Sequence, residues 1–444
     1  MDRFDVIVVG TGVAGQTAVG ELVAAGKRVA VVDKREFGGT CALRGCEPKK
    51  VLFAAAEAVE RVNAQGGNGV AGEVAIDWPS LIAFKRTFTD AVPRETEEWL
   101  AAAGAVLLHG LAQFDSAETI RVGEALYAAD HFVIAAGAVP RGLGIPGAEL
   151  VVDSEGFMEL ETLPARVVFI GGGYISLEFA HVAAAAGARI VILHRGSRIL
   201  EGFDPDLVDM LAGGYEDAGI EIRTGVSVTE VRRRGAVLEL VCDTGDVISC
   251  DLAVHGAGRV PDLEGLRLDV AGIAHGPRGI EVDGRMRSTT NPRVFAVGDV
   301  AASGIPLTPV GIAQAMIAAA NILRPGTATF ALEVTPSVVF SNPPLASVGL
   351  TESQARERGL DVEVKLSDTS GWASSRRVGQ RVSGAKTIVE RGTDRVVGAH
   401  VLGHGADEVI NVFAAAMLGG LTATALRSGV WAYPTAGSDI AYLF

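Results

Sequence analysis

Apolar and polar positions along the chain divide it into strands, tight turns and helices. Residues 4–33 read as strand, turn, helix, strand. Val6-Ile7-Val8-Val9 runs into Gly10-Thr11-Gly12-Val13-Ala14-Gly15, an Ala-rich helix follows to about Ala25, and Val29-Ala30-Val31-Val32 ends at Asp33. The pattern recurs: Val167-Val168-Phe169-Ile170 precedes Gly171-Gly172-Gly173-Tyr174-Ile175-Ser176, then a helix to about Ala186 and a strand Arg189 to Leu193. Later, 290–299 reads as a turn, a short apolar strand and Gly298-Asp299, and Leu307-Thr308-Pro309-Val310 opens a helix to Leu323. Alternation over 336–340, 362–366 and 396–402 predicts sheet strands, accompanied by helices over 352–358 and 406–418.

Each part of the first unit has a physical task. Gly10 allows the turn, Gly12 lets backbone approach a pyrophosphate, and Gly15 lets helix pack on strand. The helix N-terminus offers N–H groups and a positive dipole to phosphates. Asp33 is placed to accept hydrogen bonds from a ribose. A bare GxGxxG is weak evidence; strand, helix, strand and terminal acid together are strong. In the second unit Ser176 stands where the third glycine is expected, and His194-Arg195, with Arg198 close behind, follows the strand in place of an acid. Guanidinium groups there suit a 2′-phosphate, which favours NADPH over NADH; the competing reading is a solvated basic turn. Two dinucleotide folds imply a nicotinamide donor and a flavin acceptor. Asp299 is placed to hydrogen-bond the ribityl chain of an FAD, and the helix opening at Thr308 to face electron-rich flavin ring atoms.

Composition narrows the partners. The 444 residues suggest two to three domains, and a 48% apolar fraction with 56 glycines fits packed α/β layers. Mean hydropathy of +0.31 invites a membrane reading, but Gly, Pro or charge breaks every apolar stretch before about 18 residues. The first strand begins too early for a signal peptide, so a cytoplasmic protein is expected. A net charge of -14 argues against nucleic acid and anionic lipid. Of four cysteines, Cys242 and Cys250 read as buried core thiols. Cys41 and Cys46 lie close together in Cys41-Ala42-Leu43-Arg44-Gly45-Cys46. No metal site is expected.

The stretch Gly38-Gly39-Thr40-Cys41 through Cys46-Glu47-Pro48-Lys49-Lys50 resembles the active-site segment of the pyridine nucleotide–disulfide oxidoreductases, which include glutathione reductase, dihydrolipoamide dehydrogenase and mercuric reductase. The resemblance spans essentially the whole chain, through Ala135-Ala136-Gly137 with Pro140, Gly258-Arg259-Val260-Pro261, 336–340, 348–350, Gly398-Ala399-His400 and Ala406-Asp407-Glu408. It implies a redox disulfide between Cys41 and Cys46, with Cys46 the thiol beside the flavin and Cys41 the interchange thiol. Helical residues five apart have Cα atoms about 8.7 Å apart, and a disulfide needs less than about 7 Å. The pair can bond only if the Arg44-Gly45 region leaves regular helix, which Gly45 permits. Lys50 resembles the family lysine beneath the flavin, Glu178 its partner, Tyr174 the tyrosine covering the nicotinamide pocket over Gly171 and Gly173, and Gly137 a residue of the cofactor-binding stretch.

The chain also departs from the family. Where His-Pro-Thr with a later Glu is usual, it reads Tyr433-Pro434-Thr435, with Ser438 at the Glu position. The family active site takes this segment from the partner subunit of a homodimer. A phenol, with pKa about 10, is a poor general base at neutral pH. Mercuric reductase also has Tyr there but carries a C-terminal cysteine pair, whereas this chain ends Ala441-Tyr442-Leu443-Phe444. Glu47 and Lys49 put charges beside the cysteines; Glu47 either repels anionic acceptors or pairs with Lys49 or Arg44. Trp431, Tyr433, Tyr442 and Phe444 either pack a dimer interface or line a pocket for a flat acceptor such as a quinone.

The expected architecture is α/β: two Rossmann-like dinucleotide-binding domains plus a C-terminal α+β interface domain. The boundaries expected are 1–140 for FAD, 141–260 for NAD(P)H, 261–325 returning to the flavin and 326–444 for the interface. The expected activity is an FAD-dependent NADPH oxidoreductase passing electrons through Cys41 and Cys46 to a small-molecule or protein disulfide. Two alternatives stay open: flavin-level reduction of quinones, metal ions or oxygen without the cysteines, and a redox-sensing regulatory flavoprotein.

Overall fold

A computed structural model of the chain describes residues 1–331 and 334–444. Two compact units are formed by discontinuous stretches of sequence. The first comprises Met1–Lys49, Ala83–Arg141 and Arg259–Leu332; the second comprises Lys50–Ile82, Gly142–Gly258 and Glu333–Phe444.

The first unit is built on a seven-stranded sheet. Val106–His109, Val29–Asp33, Asp2–Val9 and Ala125–Ile134 lie side by side in that order, and Thr119–Val122 and Ala112–Ser116 extend the sheet beyond them. The central pairings are parallel, with Val6 opposite Val29 and His131. Strands buried on both faces read as unbroken apolar runs, which is why 6–9 and 29–32 show no alternation. Val294–Ala296 pairs in parallel with Ala125–Ile134, so the segment that follows Arg259 returns to this sheet. The helix Val13–Ala24 packs on one face beside the helix Thr308–Leu323. Val6, Val8, Ala18, Val19, Leu22, Ala315 and Ala318 are fully buried in that core.

The second unit repeats the pattern in a four-stranded parallel sheet of Glu221–Thr224, Arg189–His194, Arg166–Ile170 and Leu252–His255. Its helix Tyr174–Ala185 has nine buried residues, Ile175 through Ala183. The unit also holds an antiparallel sheet of Ser337–Val339, Leu345–Gly349, Arg395–Leu402, Gly384–Glu390 and Val362–Asp368. The helix Ala406–Leu418 covers it through Val409, Ile410 and Phe413. The sheet strands and helices expected for the C-terminal third therefore form, each within a few residues of its expected ends. Among the described residues no helix is long and apolar enough to cross a membrane.

Candidate active site

The Gly10–Gly15 turn is closed by contacts that admit no side chain at Gly10 or Gly15. Gly10 lies at φ 106°, where an added Cβ would meet the Ala135 carbonyl oxygen at 2.3 Å. A Cβ on Gly15 would lie 2.0 Å from Gly10 O. Gly12 faces outward, with Gly39 as its near neighbour: a Cβ on Gly39 would come 2.3 Å from the Gly12 Cα. Gly39 therefore admits no Cβ, whereas one on Gly12 would make only ordinary contact with Gly39 at 3.8 Å. Asp33 ends its strand as expected, but its carboxylate is already engaged. Thr11 donates to Oδ2 from its backbone N–H at 2.8 Å and from its hydroxyl at 2.6 Å.

Asp299 follows the strand Val294–Ala296, where burial raises its carboxyl above the usual range and Arg259 pulls it back. A carboxyl held in such a place suits a hydroxyl-bearing ligand that hydrogen-bonds it. Gly137 lies at φ 73° after the central strand, with open space where a Cβ would stand. These residues fit an FAD in the first unit: a glycine cradle and helix N-terminus for the pyrophosphate, and Asp299 for the ribityl chain.

Cys41 and Cys46 sit where helix breaks. Gly39–Arg44 is one short helix and Cys46–Ala64 the next, with Gly45 between them at φ -144° and ψ -111°. A Cβ at Gly45 would crowd Thr40 O at 2.7 Å, so the break depends on glycine. The departure from regular helix that the spacing demanded is therefore present. Both residues are thiols, Cys46 the more exposed. Thr308 donates its hydroxyl hydrogen to Cys41 Sγ at 3.3 Å and lies 3.7 Å from Cys46 Sγ. The hydrogen bond to Cys46 pushes the Cys41 thiol far up, burial adds to it, and Thr308 opposes both. Thr308 stands in the first turn of its helix beside both cysteines. Arg44, one of the two partners considered for Glu47, pairs with Glu36 at 3.2 Å.

Lys50 and Glu178 come together as expected, Nζ to Oε2 at 2.9 Å. Glu178 is buried, and its Oε1 accepts the Phe340 N–H at 2.9 Å. Lys50 Nζ also lies 3.8 Å above the Phe340 ring. Phe340 was legible only as part of a family stretch; its cation–π role needed the fold.

The second turn is closed by a different set of contacts. Gly171 lies at φ 113° against Gly256 and Ala257, and Gly173 precedes the helix Tyr174–Ala185. Ser176 fits because the facing residue is Gly256, where a Cβ would lie 2.0 Å from Ser176 Oγ. Tyr174 is 43% exposed over this turn. Arg195 is exposed. Arg198 is committed elsewhere: its Nε and Nη2 bond Asp209 at 2.8 and 2.9 Å. Cys242 and Cys250 are buried core thiols; burial raises Cys242 and pushes Cys250 up to about 11.

Tyr433 is 79% exposed. The four C-terminal aromatics do not converge. Trp431 Nε1–H donates to Leu426 O at 3.0 Å, Tyr442 meets Trp372 edge-on and Phe444 meets Phe413. Of the two alternatives for these aromatics, a pocket lined by all four is not formed among the described residues of this unit. No cluster of His, Cys, Asp or Glu among the described residues could hold a metal ion.

Comparison with known proteins agrees with this geometry. Residues 4–315 match the pyridine nucleotide-disulphide oxidoreductase family, and residues 335–442 match its dimerisation domain. A glutathione reductase of Burkholderia cepacia is 33% identical over 442 residues, 99% of this chain and 98% of that protein. A mycothione reductase of Mycobacterium tuberculosis is 32% identical over 458 residues, 98% of this chain and 97% of that protein. The Cu(II) complex of the HOCl-induced flavoprotein disulfide reductase RclA from Escherichia coli superimposes with a TM-score of 0.90 at 28% identity, covering 100% of this chain and 99% of that one.

Proposed function

Because this chain belongs to the pyridine nucleotide-disulphide oxidoreductase family, and is an FAD-dependent enzyme of that class, we propose that it reduces a disulfide with electrons from NADPH through Cys41 and Cys46. The observation that carries this reading is the helix break at Gly45, which frees two cysteines from helical spacing and sets a hydroxyl, Thr308, between them.

Bound FAD would supply the two-electron relay between nicotinamide and disulfide. The chain's own residues do the rest. The cradle of Gly10, Gly12, Gly15 and Gly39 holds a pyrophosphate, with Asp33, Gly137 and Asp299 completing the flavin nucleotide's contacts. Gly171, Gly173 and Ser176 hold the nicotinamide nucleotide, Arg195 and, in competition with Asp209, Arg198 attract a 2′-phosphate, and Tyr174 covers the pocket until the nucleotide enters. Lys50 offers a fixed positive charge, oriented by Glu178 and Phe340. Two electrons and one proton convert the Cys41–Cys46 bond to a thiol and a thiolate, with the proton on Cys41 and the negative charge on Cys46. After losing that proton, Cys41 attacks one sulfur of the acceptor, releasing the other as a thiolate. Cys46 then attacks Cys41, expelling the second acceptor sulfur and restoring the disulfide. Two protons reach the released thiolates, through Tyr433 of a second subunit or water. The acceptor is a small-molecule or protein disulfide, the assembly a homodimer, and the compartment the reducing cytoplasm, where a cysteine pair is more often catalytic than structural.

A second reading is favoured by Tyr433 standing at the family's histidine position and by the Cu(II) complex of the RclA relative. Electrons would then leave at the flavin for a metal ion or quinone. Anaerobic reduction with NADPH separates the two, wild type beside Cys46→Ser. A long-wavelength absorption band in wild type, absent from the variant, is expected. Identical bleaching in both would sink thiol exchange and leave the second reading standing.

A further inference from the structure

The second dinucleotide fold carries a carboxylate that its sequence order hides. No acid ends the strand Arg189–His194, but the chain folds back over it. Leu200 donates its N–H to Gly172 O at 2.9 Å, and it does so buried and in the left-handed region at φ 49°. A non-glycine residue held there is uncommon, and such outliers cluster at functional sites. The consequence is the placement of the next residue. Glu201 Oε1 lies 3.7 Å from His194 Nε2, and a Cβ on Gly196 would come 2.4 Å from the same oxygen. His194 is itself fixed: the Gly172 N–H donates to its Nδ1 at 3.1 Å, which leaves Nε2 turned toward Glu201.

The loop that presents Glu201 is tied at both ends. His194 O and Gly196 O accept the N–H groups of Val226 and Gly225 at 2.9 and 2.8 Å. Beyond it, Asp204 is fully buried against Lys386 Nζ at 3.2 Å. Arg198 extends from this loop, and the two-pronged face that would clasp a phosphate lies on Asp209.

We propose that Glu201 and Asp209 set coenzyme choice. Glu201 accepts hydrogen bonds from the adenosine ribose hydroxyls of NADH, and Asp209 occupies Arg198, so attraction of a 2′-phosphate falls to Arg195. The preference for NADPH is therefore shallow, within about tenfold. This rests on reading the 171–176 turn as the nicotinamide-nucleotide site.

The test uses the FAD-loaded protein, wild type beside Glu201→Gln and Asp209→Asn, both changes being at exposed side chains (70% and 58%). Calorimetric affinities for 2′,5′-ADP and 5′-ADP are compared, and kcat/KM for NADPH and NADH is measured with ferricyanide, which does not need the thiols. Each substitution is expected to shift both ratios toward the 2′-phosphorylated ligand by about fivefold. Wild-type flavin reduction with ratios that neither substitution moves would overturn this inference alone, as would a wild-type NADPH preference beyond about a hundredfold. Failure of both nicotinamides to reduce the bound flavin would overturn the donor reading and this inference with it.

Discussion

The two glycine-rich turns reach the same backbone shape with different neighbours. In the first, Gly15 is demanded by the turn itself, since a Cβ there would lie 2.0 Å from Gly10 O. In the second, Ser176 holds the equivalent place and Gly256, after the neighbouring strand, gives up the space instead. The strand-end groups differ as well. Asp33 binds Thr11 of its own turn, whereas His194 binds Gly172 and the carboxylate Glu201 arrives on a loop. The requirement is for room and for an acceptor. Which residue meets it is free to move, so a motif's spelling understates what the fold supplies.

The first way to break the comparison is at the anchor of the second fold. Lys386 is buried (4% exposed) between Asp206 at 2.7 Å, Glu352 at 3.0 Å and Asp204 at 3.2 Å. Burial works against its charge, but the hydrogen bonds it donates to Asp206 and Glu352 and the attraction of Asp204 win, raising its pKa. Lys386→Met leaves carboxylates uncompensated and should cost about 3–5 kcal/mol. The sign with pH follows from the partners. Glu352 is lowered by its bonds to Lys386 and Arg356, so its share of stability is present above its ordinary value of 4.5 and lost as pH falls through the lowered one. Denaturation of wild type and variant at pH 7 and pH 4 should show the gap closing in acid. A constant gap would mean that packing, not charge, is what Lys386 supplies.

The next largest effect belongs to the first turn. Gly15→Ala pushes a methyl into Gly10 O, a backbone atom with no room to yield, at a cost of about 3 kcal/mol. The purified variant should be colourless while its second unit still binds 5′-ADP. Yellow protein with full flavin content would show that the turn opens more easily than its contacts indicate.

Much of this was legible in the sequence because it is local. The runs 6–9 and 167–170 with their glycine turns announce two parallel-sheet units, and the five-residue cysteine spacing with Gly45 announces a helix break. What stayed hidden is long-range. Glu201 reaches His194 only because Leu200 turns back on Gly172; Phe340 meets Lys50 only through the folded sheet; Thr308 meets Cys41 across much of the sequence. Arg198 shows the converse, a residue type well suited to phosphate whose guanidinium the fold sets against Asp209. Periodicity reports which face of an element is buried, but side-chain partners between elements are set by the tertiary fold.

The smallest expected effect sharpens the comparison most. Ser176→Gly restores the third glycine of the second turn, and two consequences oppose each other. Glycine in a helix costs up to about 1 kcal/mol, less near an end, and Ser176 is in the first turn of its helix. Against this, Ser176 Oγ is buried without a hydrogen-bond partner, so its removal returns about 1–3 kcal/mol of desolvation. The single variant should therefore be at least as stable as wild type, by about 0–3 kcal/mol, with unchanged affinity for 5′-ADP. Gly256→Ala alone should lose about 1–3 kcal/mol and weaken that affinity, because its methyl would meet Ser176 Oγ at 2.0 Å. Combining the two should recover most of the loss, giving a coupling that neither single change predicts. If the losses simply add, Ser176 and Gly256 do not share one space, and the second turn is an independent solution rather than the first with its glycine moved across to the neighbouring strand.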